Sequence, residues 1–324
     1  MNDRSVNILE KYEIEVLRTW RGRGAVLCET KTGIKILKEY KGSEKRLRCQ
    51  SLFLEQLWEK GYRYAETILA DKEGNLLVHD DDMTAYFLKE YRGGKECSSR
   101  EPADCERAMR ELAGFHRVCE EIELGEEDSP TPVYVVEEME KHNRELKKVQ
   151  RFLKEKSQKS EFEILLSKHY DGFYQKADSI RQQAKGNPVN TCLICHGDYQ
   201  HHNILFGSDH PFLINFEKFV LDGAGRDIGL FFRKIMEKNN WDESIGGRLL
   251  GAYEQVRKLS PEEKRDLYYR LSYPEKFWKI VNFYYNSSKV WIPSKNLEKL
   301  EKLLSQEVKK NQYLEQSFLQ WVLQ

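Results

Sequence analysis

The run Cys195-His196-Gly197-Asp198-Tyr199-Gln200-His201-His202-Asn203 is a dense patch of chemistry-bearing side chains in this 324-residue chain. Asp198 and Asn203, five positions apart, sit in a short polar loop where a carboxylate and an amide can converge on one bound group. Apolar runs flank the loop, Thr191 to Cys195 before it and Ile204 to Phe206 after it. A second apolar run, Phe212-Leu213-Ile214, leads into Asn215-Phe216-Glu217, and residues two apart in an extended strand share a side. Other metal-type side chains are less promising. His201 and His202 are adjacent in a tight loop, with no cysteine or third histidine suitably spaced, so zinc is not expected. Cys192 and Cys195, three apart on an expected strand, point to opposite faces and are read as two buried thiols.

The elements that position this loop divide at about residue 91. Glu13 to Trp20, Ala25 to Thr30 and Gly33 to Lys38 read as three strands of an antiparallel meander, with Gly22 and Gly24 in the first turn. Lys38 ends its strand, and a helix is expected from Ser43 to Lys60, carrying Glu55. Lys35 lies on the opposite strand face and Glu59 one turn beyond Glu55; all four also fit solvated charges. A further strand, Thr84 to Tyr91, ends at Arg92-Gly93-Gly94. Beyond it the chain reads as mostly helical. Glu101-Pro102 opens a helix through His116, which is expected to be a packed core histidine. A loop with two prolines follows, then helix from Val133 to Lys185, and finally an amphipathic segment from Leu297 to Leu323. Tyr268, Tyr269, Trp278, Phe283 and Tyr284 cluster in this part and suit either core or a pocket for a sugar or cationic amine.

The H-x-D-x-x-x-x-N pattern of His196, Asp198 and Asn203 between two strands resembles the catalytic loop of the protein kinase and aminoglycoside phosphotransferase superfamily. The resemblance implies an α+β, protein kinase-like two-lobe fold: a small antiparallel β lobe with one helix over 1–91 and a large mostly helical lobe over 92–324, holding the catalytic-type loop 195–217. It further implies ATP and magnesium as cofactors, with Asp198 as the base for an acceptor hydroxyl, His196 in the same loop, and Asn203 on the metal. Lys38 held by Glu55 would contact the phosphates, Gly22 and Gly24 would cover them, and Asp227 would brace the loop or cap its helix. One position departs from the pattern. Asn215 stands where that superfamily has a metal-binding aspartate, and an amide offers magnesium a dipole instead of a full charge; Glu217 is the candidate to compensate. The runs Asp227 to Trp241 and Tyr285 to Pro293 narrow the resemblance to the CotS family of bacterial spore coat proteins, whose fold is similar to aminoglycoside and choline kinases.

Composition sets the outer limits. The length exceeds what one hydrophobic core usually serves, which favours two lobes. With 53 basic and 53 acidic side chains the formal net charge is zero, and no nucleic-acid or anionic-membrane partner is expected. Seven scattered cysteines suit reduced thiols in a cytoplasm, and no run approaches the ~20 apolar residues of a membrane span. The expected location is the mother-cell cytoplasm, with assembly into the spore coat beside other coat proteins. Two functions follow. The first is a spore coat-associated protein of kinase-like fold, degenerate or weakly active because of Asn215. The alternative is an active, ATP- and magnesium-dependent phosphotransferase acting on a hydroxyl of a small polar molecule.

Overall fold

A computed structural model of the chain describes residues 7–22, 24–190, 192–207, 210–286 and 293–323. Of the run Tyr285 to Pro293, residues 287–292 lie outside the described residues. The chain forms two compact units, Met1–Thr131 with His196–Leu221 and Pro132–Cys195 with Asp222–Gln324. The polar loop thus belongs to the same unit as the N-terminal sheet.

In the first unit, β1 (Val16–Gly22), β2 (Ala25–Thr30) and β3 (Gly33–Glu39) form the antiparallel meander, which continues through β6 (Ala85–Tyr91) to β4 (Ile68–Leu69), while β5 (Val78–His79) also pairs with β6. Gly24 and Gly33 close the two hairpins at φ +69° and +108°, where a side chain would be strained. Between β3 and β6, Ile36 lies opposite Lys89 and Lys38 opposite Phe87. Directly opposed residues share a face, so Lys38 and Lys89 emerge on one side of the sheet. Lys35, Leu37, Leu88 and Glu90 take the other, where Leu37 and Leu88 pack with Ile8, Leu9 and Tyr12.

Helix α1 (Glu44–Glu59) starts at Ser43, whose hydroxyl accepts the Arg46 amide, and buries Leu47, Gln50, Phe53, Leu54 and Leu57. Helix α2 (Pro102–Cys119) buries His116 completely, as the periodicity predicts. A second small sheet joins β7 (Lys95–Glu96), β9 (Ile204–Phe206) and β10 (Pro211–Leu213). The segment 64–66 docks along β10: Leu213 donates its amide to the Tyr64 carbonyl at 2.7 Å and Glu66 donates to Leu213 at 3.1 Å. That docking brings Glu66 beside Asn215. Phe53, Phe115, Phe216 and Phe219 pack ring against ring, joining α1, α2 and the segment after β10.

Among the described residues the second unit is helical apart from β8 (Leu193–Cys195) and Asp222, the last residue of the strand β11 (Val220–Asp222). The helical stretch expected from Val133 to Lys185 is two helices, α3 (Val135–Glu155) and α4 (Glu161–Gly186), because Ser160 and Glu163 form a capping box that restarts the chain. Helices α5 (Gly225–Lys238), α6 (Glu243–Glu254), α7 (Pro261–Ser272) and α8 (Glu275–Asn286) follow, then α9 (Pro293–Gln312), one π-helical stretch and α10 (Leu319–Leu323). Tyr269 is buried in the core of this unit, and Tyr268, Trp278 and Tyr284 pack against it. Cys195 is buried but Cys192 is exposed, which corrects the reading of two buried thiols: the strand begins at Leu193, so Cys192 precedes it. The helix α5 caps on Ala224, and Asp227 is a fully buried residue in its first turn instead of the N-cap.

Candidate functional site

The loop after β8 turns sharply at Gly197, where φ is +75° and an added Cβ would lie 1.9 Å from the Lys218 carbonyl oxygen. Only glycine fits there, because the obstacle is backbone. His196 is wholly buried and holds the turn from inside. Its Nδ1 accepts the Asp198 amide at 3.2 Å, which leaves the proton on Nε2, 3.0 Å from the Ile214 carbonyl. With both ring nitrogens at backbone partners, His196 positions the loop. Asp198 is half-buried. Its carboxylate accepts from Gln200 Nε2 at 2.6 Å and from Lys218 Nζ at 3.0 Å. Burial opposes its ionisation, but the Lys218 and Gln200 hydrogen bonds and the Lys218 charge outweigh that and hold the carboxyl below its ordinary range.

The other end of the site is a closed polar network. Asn215 follows β10 in the left-handed region, at φ 69° and ψ 58°, a conformation asparagine tolerates better than most residues. Glu66, with a side chain 0% exposed, accepts the backbone amides of Asn215 at 2.7 Å and Phe216 at 3.0 Å, and pairs with Lys89 Nζ at 2.6 Å. Lys89 Nζ also lies 2.9 Å from Asn215 Oδ1 and 3.6 Å from Glu217 Oε1. Lys38 Nζ pairs with Glu217 Oε1 at 2.5 Å and reaches Asn215 Oδ1 at 3.5 Å. Burial would drive the proton off Lys89, yet Glu66 and Glu217 more than compensate and hold its ammonium above the ordinary lysine range. Burial likewise disfavours the Glu217 carboxylate, and Lys89 and Lys38 together keep it ionised below its usual range.

Two ammonium groups at Asn215 Oδ1 fix which way the amide faces. An ammonium only donates, so the oxygen must face the lysines and Nδ2 must face away. Nδ2 donates to Asn203 Oδ1 at 2.8 Å, and Asn203 Nδ2 in turn donates to the Asp198 carbonyl at 2.8 Å. A continuous line of hydrogen bonds thus runs from the two lysines through Asn215 and Asn203 to the loop backbone.

The expected residues are only partly brought together. Lys38, Asn203, Asn215, Glu217, Asp198 and His196 all lie in the one unit and in this network or beside it. Glu55 does not pair with Lys38: it accepts from Ser51 at 3.0 Å on the exposed side of α1. Five residues along a helix rotate a side chain about 140° from the buried position of Gln50, which instead reaches Glu66 at 3.4 Å. Gly22 lies in β1 and Gly24 in the hairpin turn. Asp227 belongs to the second unit. Sequence reading missed Glu66, Lys89 and Arg46. Arg46 grips the carbonyls of Glu217 and Phe219 at 3.1 and 3.0 Å, tying α1 to the segment after Asn215. Lys89 carried a faint signal, a charge directly after the apolar run Tyr86-Phe87-Leu88 and beside Glu90; Glu66, in an irregular segment, carried none.

The antiparallel sheet with helix α1, the helical unit and the Asp198–Asn203 loop define a protein kinase-like fold of the small-molecule phosphotransferase kind. The aminoglycoside phosphotransferase of Alicyclobacillus acidocaldarius superposes with a TM-score of 0.81 at 18% identity, over 98% of this chain and 96% of that one. An amicoumacin kinase solved with AMP-PNP, Ca2+ and Ami gives a TM-score of 0.63 at 11% identity, over 99% and 97% of the two chains. More particularly, the chain belongs to the family described as "Spore coat putative kinase YutH", whose model matches residues 5–317. Spore coat protein S of Bacillus subtilis (strain 168) is 24% identical over 319 residues, 91% of this chain and 86% of that protein. No helix among the described residues is long and apolar enough to cross a membrane.

Magnesium, which the fold implies, requires oxygens free to coordinate it. Asn203 Oδ1 accepts from the Asn215 amide, Asn215 Oδ1 faces the Lys89 and Lys38 ammonium groups, and Glu217 Oε1 is paired with Lys38, so a cation would meet positive charge or an amide N–H at each. The residues present do not fit the ion.

Proposed function

We propose that this chain is a spore coat-associated protein of kinase fold in which magnesium-dependent phosphoryl transfer is lost or greatly weakened. It would be made in the mother-cell cytoplasm and join the coat through contacts with other coat proteins, as its family membership suggests. The observation that carries this reading is the direction of the Asn215 amide. Its N–H stands between the Asn203 and Asn215 oxygens, where an active site of this class needs a divalent cation to draw both oxygens together. Glu217 does not restore the missing carboxylate, because it serves as the partner of Lys38.

The test is magnesium-dependent consumption of ATP, with and without a panel of hydroxyl acceptors. The expected rate is background, and Asn215→Asp is expected to leave it there, since the new carboxylate meets Lys89 before it meets a metal. Magnesium-dependent turnover by the wild-type chain, abolished in Asp198→Ala, would sink the proposal. The second reading, an active phosphotransferase on a small polar molecule, is favoured by one observation: Asp198 is retained, ionised, and reachable by displacing one largely exposed lysine.

A further inference from the structure

Lys89 is an unusual occupant of its place. Its side chain is 2% exposed, in the middle of a strand, and its ammonium is ringed by three oxygens: Glu66 Oε2 at 2.6 Å, Asn215 Oδ1 at 2.9 Å and Glu217 Oε1 at 3.6 Å. Two of its three N–H donors are hydrogen-bonded, to Glu66 and Asn215, and Glu217 lies at ion-pair distance. Lys38, on the same sheet face, approaches two of those same residues but keeps a side chain 30% exposed. Lys38 and Lys89 balance Glu66 and Glu217 without any ion, and Asn215 removes the negative charge an aspartate would add. A divalent cation entering here would meet two ammonium groups, with Asn203 Oδ1, Asn215 Oδ1 and Glu217 Oε1 each already holding a hydrogen bond. An anion would meet Lys38, which needs only to turn away from Glu217, and Lys218, which is 67% exposed beside Asp198.

We propose that the Lys89 ammonium is a built-in replacement for the divalent cation, and that the site binds the polyphosphate of a nucleoside di- or triphosphate free of metal, with Lys38 as the phosphate contact. No bond to phosphorus forms or breaks in this step; Lys38 exchanges one anionic partner for another. The inference rests on the proposed absence of metal-dependent transfer, and the two fail separately.

Calorimetry of ATP with the full chain, once in EDTA and once in magnesium, reads the inference directly. The expected affinities agree within about twofold, Lys38→Met weakens binding about tenfold or more in EDTA, and Glu55→Gln leaves it unchanged. Magnesium tightening ATP by about tenfold or more would overturn the inference, as would no binding in EDTA at millimolar ATP, or wild-type affinity in Lys38→Met. The loss of nucleotide binding in both buffers overturns this inference alone; magnesium-dependent turnover overturns the proposed function. Mn2+ alone supplies a second readout. The wild-type chain is expected to show no thermal shift with Mn2+, and Lys89→Met, if folded, to gain one; a shift in the wild-type chain overturns the replacement role even if the variant fails to fold.

Discussion

The two ends of the site are built from the same residue types and behave differently. At one end the Asp198 carboxylate is held by Lys218, a side chain 67% exposed, so a single surface lysine stands between the aspartate and an incoming group. At the other, Glu66 and Lys89 are 0% and 2% exposed, and every oxygen they touch is shared with a backbone amide, an asparagine or a second lysine. An exposed pair opens at little cost because water takes over its hydrogen bonds. A buried pair does not, because removing either member strands a charge in a medium that solvates it poorly. The difference is one of adaptability: the Asp198 end can open to an incoming group, and the Glu66–Lys89 end is held by its own buried charges.

The buried end should break hardest. Lys89→Met leaves the Glu66 carboxylate without its counter-charge and is expected to cost about 3–5 kcal/mol in urea unfolding, with Lys89→Met/Glu66→Gln recovering much of it. A loss under about 1 kcal/mol would show that water reaches Glu66 and that the closed end is not closed. Between the ends, Gly197→Ala forces a side chain into a positive-φ position facing the Lys218 carbonyl. Strain of this kind costs about 1–3 kcal/mol before the clash is counted, and an unchanged melting temperature would contradict the turn as described. The smallest effect belongs to the exposed end. The Asp198 carboxyl, held below its ordinary range, contributes stability that is present above about pH 4 and lost as pH falls through its depressed value. Asp198→Asn should therefore flatten the acid limb of the stability profile by less than about 1 kcal/mol, because Lys218 is screened by solvent. A steeper acid limb in the variant would reverse the sign assigned here.

Much of this fold was legible because its signals are local. Alternation marks β1, β2, β3 and β6, Ser43 and Pro102 mark helix starts, and the spacing of His196, Asp198 and Asn203 marks the loop. The break at Ser160 was missed because strong helix formers on both sides of it hide a capping box. Glu55 was placed correctly on α1 but assigned the wrong partner, since order and approximate spacing along a helix do not reveal which side of the cylinder faces the sheet.

What the amino-acid order determined by itself is the chemistry on offer: an aspartate and an asparagine in one loop, an asparagine where a metal-binding aspartate would stand, and a lysine on a strand near them. What Asn215 faces was decided by residues 149 and 126 positions away in the chain, Glu66 and Lys89. Backbone pairing between 64–66 and β10 brings the first of these to Asn215, and the β3–β6 register turns the second toward it. Hydrogen-bond direction does the rest. A donor-only ammonium cannot face an amide N–H, so two lysines arriving from the sheet orient Asn215, and Asn215 in turn takes the oxygen of Asn203. That constraint exists only when all four groups meet in space.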